Sequence, residues 1–185
     1  AIHYYQEAIA IDPSYSKAHF NLGSALHEIG KLEESAQSYQ NSIIIDSDYP
    51  EAHNNLGNVF RELDSVSDAI ISYKKAIDIK PEYIEALYSL AVTQQNIGNL
   101  ESIKYFEKIL SLKPNFAEVH NNLGVIFKGI NEIDNAIHCY KNAIKINSEY
   151  AEAHNNLGNA FRDLGKLNEA INSFKTALKL KPDYP

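Results

Sequence analysis

One short motif recurs along this chain at an almost constant spacing, and that recurrence constrains the fold more than any other feature. His-Asn-Asn-Leu-Gly-Asn occurs at 53–58 and at 154–159, and its first five residues occur at 120–124. Looser copies begin at His19 and Leu87, so that successive Leu-Gly or Leu-Ala steps lie 34, 34, 33 and 34 residues apart. A period of this size indicates a repeat protein in which each copy forms one supersecondary unit.

Each copy carries two apolar helical faces, as residues 50–83 show. Apolar side chains recur at steps of three and four from Ala52 to Leu63, and again in the second half of the copy, which predicts two amphipathic helices. Asp64 interrupts the pattern between them. The equivalent residues in the other copies are Gly30, Gly98, Asn131 and Gly165. Because these residue types tolerate the left-handed conformation that ends a helix, we predict a tight turn there.

A small residue precedes an aromatic residue by four positions in the second half of every copy. The pairs are Ala1/Tyr5, Ser35/Tyr39, Ala69/Tyr73, Ser102/Phe106, Ala136/Tyr140 and Ala170/Phe174. We expect the two helices of a copy to approach closely at Gly57 and Ala69, while Tyr73 and Phe60 fill the remaining space. An aromatic residue also precedes each first helix, where we expect it to pack between successive copies. These residues are Tyr15, Tyr49, Tyr83, Phe116 and Tyr150.

The motif, its period and the paired small and aromatic residues resemble the tetratricopeptide repeat family. The resemblance implies an all-α fold, an α-solenoid of antiparallel helix pairs that winds into a right-handed superhelix, with a concave groove lined mainly by the first helices. Residues 1–15 are then the second helix of a preceding repeat. The whole repeats are 16–49, 50–83, 84–116, 117–150 and 151–184. Histidine stands where the family usually has tryptophan, which changes the packing around each first helix.

Composition narrows the partners and the compartment. The chain has 24 acidic and 17 basic residues, a formal net charge of −7, whereas nucleic-acid binders carry a basic excess that neutralises phosphate. No apolar run is long enough to span a membrane, and the single cysteine, Cys139, cannot form an internal disulfide. We therefore expect no nucleic-acid partner, no membrane partner and a cytoplasmic location.

No residue pattern in the sequence indicates an enzyme or a metal site. Four histidines share one register, one per repeat, and packed helices lie ~8–10 Å apart, so their rings cannot surround one zinc ion. Cys139 directly follows His138, and adjacent residues on a helix do not face each other. We expect no catalytic residue, no metal and no cofactor, and we interpret the four histidines as packing or groove-edge residues. They are His19, His53, His120 and His154.

Asparagines recur on the predicted first helices and form the candidate binding surface. Each asparagine offers both a donor and an acceptor, so a row of them can bind the backbone of an extended peptide without reading its side chains. Such a row is similar to the asparagine ladder in the repeats of the O-linked N-acetylglucosamine transferases. The alternative is that asparagine is simply common at these positions. The candidate groove asparagines are Asn21, Asn54, Asn55, Asn58, Asn121, Asn122, Asn155, Asn156 and Asn159.

Two further features modify this predicted groove. Repeat 84–116 departs most from the pattern, and its groove residues Tyr88 and Val92, with Val125 in the next repeat, predict an aromatic and apolar spot; drift of a degenerate repeat is the alternative. Three basic residues also follow the groove asparagines by six positions, as a candidate cationic rail for acidic peptides. They are Arg61, Lys128 and Arg162. The alternative is that they complement the helix dipole, by roughly 0.3–1 kcal/mol each.

These patterns favour a non-catalytic protein–protein interaction scaffold that binds an extended peptide or a partner helix in its groove. Two alternatives remain open. The resemblance to the glycosyltransferase repeats is compatible with a substrate-recruiting arm of a larger enzyme. Both ends of the array also look cut, because apolar residues such as Leu178 and Leu180 stand in the last helix with nothing after them. A fragment of a longer array would self-associate through its terminal repeats.

Overall fold

The computed structural model describes residues 1–182, which form eleven α-helices joined by short turns and no strand. The helices are α1 Ile2–Ile11, α2 Ser16–Glu28, α3 Leu32–Ile45, α4 Pro50–Glu62, α5 Val66–Ile79, α6 Ile84–Asn96, α7 Ser102–Leu112, α8 Ala117–Gly129, α9 Ile133–Ile146, α10 Ala151–Asp163 and α11 Leu167–Leu180. Every second helix from α2 to α10 begins at the first residue of a predicted repeat. We therefore propose these positions as the repeat boundaries.

The chain divides into two compact units. The first unit, Ala1–Asn99, contains α1 to α6, and each helix packs on the next one along the chain. In addition, α2 contacts α4, and α4 contacts α6. The second unit starts at Leu100 and contains α7 to α11, with the same nearest-neighbour packing and a contact between α8 and α10. Stacking of sequential helix pairs is the packing of an α-solenoid, so the predicted all-α fold class is confirmed.

The turn inside each helix pair has the predicted left-handed residue. The φ angle is positive at Gly30, Asp64, Gly98, Asn131 and Gly165, with values between 60° and 75°. At each turn, the backbone N–H one residue later donates to a carbonyl near the end of the first helix; the N–H of Ser65, for example, donates to the carbonyl of Phe60 at 2.8 Å. This is the Schellman arrangement, which satisfies carbonyls left open at a helix end.

The two helices of a pair meet at a glycine that faces an aromatic ring. A Cβ atom built on Gly57 would lie 2.6 Å from a ring carbon of Tyr73, closer than real Cβ contacts come. The same arrangement occurs in three other pairs. They are Gly23 with Tyr39, Gly124 with Tyr140, and Gly158 with Phe174. The predicted close approach is thus confirmed, and the ring needs the space that a larger residue would occupy.

The aromatic residue ahead of a first helix packs against neighbouring helices at two positions. The rings of Phe20 in α2 and Tyr49 ahead of α4 lie 4.8 Å apart, centre to centre. In the second unit, Tyr150 packs against a cluster that joins Ala117 and Ala143 of its own repeat to Ala153 of the next repeat. These contacts agree with the predicted role. They also fix the start of α4 and α10, the helices that carry candidate asparagines.

Candidate functional site

The first unit carries three half-buried candidate asparagines, two of which form hydrogen bonds with tyrosines of the second helices. Asn21, Asn55 and Asn58 lie on α2 and α4. The Asn55 amide donates to the Tyr39 hydroxyl at 3.4 Å, and the Tyr73 hydroxyl donates to the Asn58 carbonyl oxygen at 2.8 Å. Since an amide has two N–H groups and two carbonyl lone pairs, each of these asparagines keeps capacity for a further partner.

Two of the nine candidate asparagines do not lie on an open face. Asn54 is 5% exposed and Asn121 is fully buried. The Asn54 amide donates to Asn55 at 3.3 Å, and the Asn121 amide donates to a Glu152 carboxylate oxygen at 3.2 Å. Their burial disfavours contact with a peptide, and the binding surface proposed below leaves both of them out. Because neighbours along a helix point in different directions, Asn54 and Asn121 turn into the interface with adjacent helices, whereas Asn55 and Asn122 stay half-buried.

The second unit brings three candidate groove residues and one residue of the candidate cationic rail together around a cavity of about 290 Å³. Val125 on α8, with Asn156 and Asn159 on α10, line this cavity. The remaining lining residues are Lys128, Gly129 and Tyr140. Tyr140 belongs to the recurring aromatic residues of the second helices, which were predicted to be core alone. Sequence periodicity did not indicate that Tyr140 lines the same cavity as the candidate groove residues.

The other candidate residues lie on the same first helices. Tyr88 and Val92 are half-buried on α6 in the first unit, and Asn122 and Asn155 are half-buried on α8 and α10 in the second. Val125 is 39% exposed. An exposed valine on a helix whose neighbours are amides offers apolar contact to a ligand. The aromatic and apolar spot that joins Tyr88 and Val92 to Val125 stays a prediction.

Two residues of the candidate cationic rail lie beside the same carboxylate. The Lys128 ammonium lies 3.0 Å from an Asp163 carboxylate oxygen, and the Arg162 guanidinium lies 3.6 Å from the other oxygen. The hydrogen bond from Lys128 lowers the pKa of Asp163, so the carboxylate stays charged. The equivalent pair in the first unit joins His27 to Glu62 at 3.0 Å. Lys128 therefore belongs to an ion pair between repeats, which makes it less available to an acidic peptide; the cationic rail stays a prediction.

The four histidines of one register each bind the turn that precedes their own helix. In every case Nε2 lies 3.1–3.2 Å from the carbonyl oxygen six residues earlier. The pairs are His19 with Pro13, His53 with Ser47, His120 with Pro114, and His154 with Ser148. A carbonyl only accepts, so Nε2 donates and the ring holds the turn against the first helix. This agrees with a packing role.

His120 is expected to make stability depend on pH. Burial, together with the nearby charge of His138, lowers the pKa of His120 below 6.5, so the unfolded chain binds this proton more readily than the folded one. The stabilisation is therefore complete above about pH 6.5 and is lost as the pH falls through the lower, folded-state pKa. Between pH 7.5 and pH 5, the urea midpoint of the His120→Leu variant should fall less than that of the wild-type chain.

Circular dichroism at both pH values measures this difference. Leucine is a suited replacement because Leu87 occupies the same register in repeat 84–116. His3→Leu is the control, since the His3 side chain is 77% exposed. An equal midpoint change in the His120→Leu and wild-type chains would contradict the expectation.

The single thiol of the chain is buried and protonated. Cys139 is 8% exposed, and burial raises the pKa of its thiol to about 11, so it stays protonated at neutral pH. Among residues 1–182, no group of three His, Cys, Asp or Glu side chains comes together in a way that could hold a metal ion. Over the same residues, no helix has the length and apolar character needed to cross a membrane.

Family sequence models match most of the chain. The model described as TPR repeat matches residues 1–30, 23–64, 57–98 and 130–161. Two models described as tetratricopeptide repeat match residues 84–116 and 151–184. No curated protein sequence matches the chain. The matched ranges contain the recurring motif copies at 53–58 and 154–159.

Solved structures share the fold over nearly the whole chain. YrrB, described as a TPR protein with an unusual peptide-binding site, has a TM-score of 0.84 and 19% identity, covering 100% of this chain and 95% of its own. A MamA protein has a TM-score of 0.83 and 24% identity, covering 90% and 92%. MamA from Desulfovibrio magneticus RS-1 has a TM-score of 0.84 and 18% identity, covering 90% and 95%. Together with the family matches and the stacked helix pairs, these findings show that the chain belongs to the tetratricopeptide repeat family.

Proposed function

We propose that this chain is a non-catalytic scaffold that binds an extended peptide along the amide-bearing faces of its first helices. The observation that carries the proposal is the recurrence of half-buried asparagines at equivalent positions of these helices in both units. They are Asn21, Asn55 and Asn58 in the first unit, and Asn122, Asn155, Asn156 and Asn159 in the second. Tyr88, Val92 and Val125 supply apolar contact beside them.

The chemistry of these faces suits a peptide backbone. Each peptide unit presents one N–H donor and one C=O acceptor, and each asparagine presents both complementary groups. In this proposal the amides bind the main chain and the apolar residues bind side chains. The peptide-binding description of YrrB supports the assignment by analogy of fold.

The net charge of the chain favours a neutral ligand over an acidic one. Lys128 and Arg162 share the carboxylate of Asp163, which reduces the positive charge that they present to a ligand. The formal net charge of the whole chain is −7, which repels acidic peptides at long range. We therefore replace the acidic peptide of the cationic-rail hypothesis with a peptide of low net charge.

The test is the simultaneous replacement of Asn55, Asn122 and Asn156 by alanine. A neutral hydrogen bond contributes about 0.5–1.5 kcal/mol, so three lost bonds should weaken peptide binding at least about tenfold. The probe is a neutral peptide selected on the wild-type chain from a displayed random library, and fluorescence anisotropy measures its dissociation constant. Circular dichroism shows whether the variant keeps its helices.

The matched control replaces three asparagines of second helices by alanine. They are Asn41, Asn135 and Asn172, on α3, α9 and α11. This control should bind the selected peptide with the wild-type affinity. If both triple variants bind the peptide equally well, the asparagine faces are not the binding surface.

A substrate-recruiting arm and self-association remain the two alternative proposals. A substrate-recruiting arm uses the same asparagine faces, with a catalytic domain elsewhere in a longer protein. Self-association is favoured by apolar side chains on α11, where Leu167, Ile171 and Leu178 are each about half exposed or more. An exposed apolar row of this kind is a common feature of surfaces that pack on another protein.

A further inference from the structure

The second-helix tyrosines differ in what their hydroxyl groups bind. The Tyr39 hydroxyl lies 3.0 Å from the Ser24 hydroxyl, and the Tyr73 hydroxyl donates to Asn58. Positions 24 and 58 are equivalent in the repeat, and the equivalent position opposite Tyr140 is Val125. A valine side chain neither donates nor accepts a hydrogen bond, so Tyr140 lacks the partner that its counterparts have.

The Tyr39 hydroxyl has a second hydrogen-bond partner, and Tyr140 lacks the equivalent of that one too. Asn55 donates to the Tyr39 hydroxyl, and the equivalent residue near Tyr140 is Asn156. Asn156 donates instead to the buried Asn121 carbonyl oxygen at 3.0 Å. Among residues 1–182, no hydrogen bond involves the Tyr140 hydroxyl.

Tyr140 is nevertheless almost completely buried. The residue is 1% exposed, its ring packs against Gly124, and it lines the 290 Å³ cavity. Burial strongly raises the pKa of its hydroxyl, which therefore remains a neutral O–H donor. Buried polar groups in proteins are almost always hydrogen-bonded. The Tyr140 hydroxyl has no protein partner in the described part of the chain and lines the cavity, so it is available to donate a hydrogen bond to a ligand that enters there.

The rest of the cavity wall defines the chemistry of that ligand. Asn156 uses one N–H on Asn121, which leaves its carbonyl oxygen and its other N–H, and Asn159 is a half-buried amide. Val125 supplies an apolar wall. Lys128 is paired with Asp163, so the lining offers no isolated cation for a carboxylate and no carboxylate for an ammonium group.

We propose that this cavity is a subsite for a carboxamide side chain, glutamine or asparagine, of a bound peptide. The ligand carbonyl accepts from the Tyr140 hydroxyl, the ligand NH₂ group donates to the carbonyl oxygen of Asn156 or Asn159, and the ligand methylene groups contact Val125. This inference rests on the proposed peptide-binding function and adds a side-chain preference to it. We expect this preference only in the repeat that contains Val125. In repeat 50–83, the equivalent residue Asn58 already accepts the hydrogen bond of the Tyr73 hydroxyl.

The test titrates the ¹⁵N-labelled 185-residue chain with capped single amino acids and follows the backbone amides by NMR. The probe is N-acetyl-glutamine N′-methylamide, with the glutamate and lysine analogues as competitors. We expect the glutamine probe to shift resonances around Val125, Tyr140 and Asn159. At pH 7 the glutamate and lysine analogues should bind at least about fivefold more weakly, as expected for one lost hydrogen bond of ~1 kcal/mol.

Two variants isolate the hydroxyl group. Tyr140→Phe keeps the ring, and phenylalanine already faces a glycine in the equivalent pair of Phe174 with Gly158. Val125→Asn keeps the tyrosine but supplies the internal acceptor that Asn58 gives to Tyr73. Both variants should bind the glutamine probe at least about fivefold more weakly, by the same conversion. Tyr73→Phe is the control and should bind it as the wild type does.

The outcomes separate this subsite from the general function. Unchanged glutamine binding by Tyr140→Phe, or equal binding of glutamine and glutamate probes, overturns the subsite. If selected peptides bind but show no carboxamide preference that these variants abolish, the scaffold stands and the subsite fails. If the glutamine probe binds at the cavity with the expected losses while no peptide binds either unit, the subsite stands and the proposed scaffold function fails.

Discussion

Replacement of Tyr73 by alanine is expected to lower the free energy of unfolding by about 3–5 kcal/mol, the range for removing a large aromatic side chain from a core. Tyr73 is fully buried, and its ring occupies the space that Gly57 leaves between α4 and α5. The shortened side chain leaves a cavity that the two helix backbones cannot fill. Urea unfolding followed by circular dichroism measures the loss.

Tyr73→Phe separates the ring from the hydroxyl. The ring still fills the space beside Gly57, and the hydroxyl with its bond to Asn58 is lost. The expected loss is about 0.5–1.5 kcal/mol, the usual contribution of one hydrogen bond. If the phenylalanine variant were as unstable as the alanine variant, the hydroxyl rather than the ring would stabilise the pair.

Gly124→Ala is expected to destabilise the second unit by about 1–3 kcal/mol, although alanine is the better helix former. A Cβ atom at this position would lie 2.5 Å from a ring carbon of Tyr140. The ring is held between helices and cannot move without displacing its neighbours. The overpacking therefore exceeds the gain of up to about 1 kcal/mol that alanine gives over glycine inside a helix.

Gly129→Ala is the matched control in the same helix. No atom lies within 4 Å of a Cβ built on Gly129, and its φ angle is not positive. Only the propensity gain remains, so this variant should be as stable as the wild type or up to about 1 kcal/mol more stable. The urea midpoint of each variant is compared with that of the wild-type chain. A Gly124→Ala chain as stable as Gly129→Ala would show that the Tyr140 ring yields easily.

The fold was largely predictable because its determinants are local. A turn that needs a positive φ angle accepts few residue types, so Asp64 and Asn131 could be recognised at positions where other copies have glycine. A close helix approach needs a small residue opposite a large one, and Gly57 with Tyr73 follows that rule. Each requirement recurs about every 34 residues, so the copies reinforce one another.

The binding surface was less predictable because it depends on pairs of residues far apart in sequence. Asn54 and Asn55 are identical neighbours, and only the position of adjacent helices decides which one is buried. The charge of Lys128 looked free until Asp163, 35 residues later, was placed beside it. The open hydroxyl of Tyr140 likewise follows from Val125 on another helix. Periodicity reports which face a residue occupies but not what the facing helix brings there.

The burial of Cys139 makes its thiol a natural probe of local opening in the second unit. It is the only thiol in the chain, and it sits on α9 next to Tyr140 with a sulfur that is both shielded and protonated. A maleimide or disulfide reagent can reach the sulfur only when α9 transiently separates from its neighbours. The rate of that reaction therefore counts natural opening events at the helix that carries Tyr140, without any engineered label. A ligand that binds beside this helix and reduces its opening would slow the thiol reaction, and the slower rate would report binding.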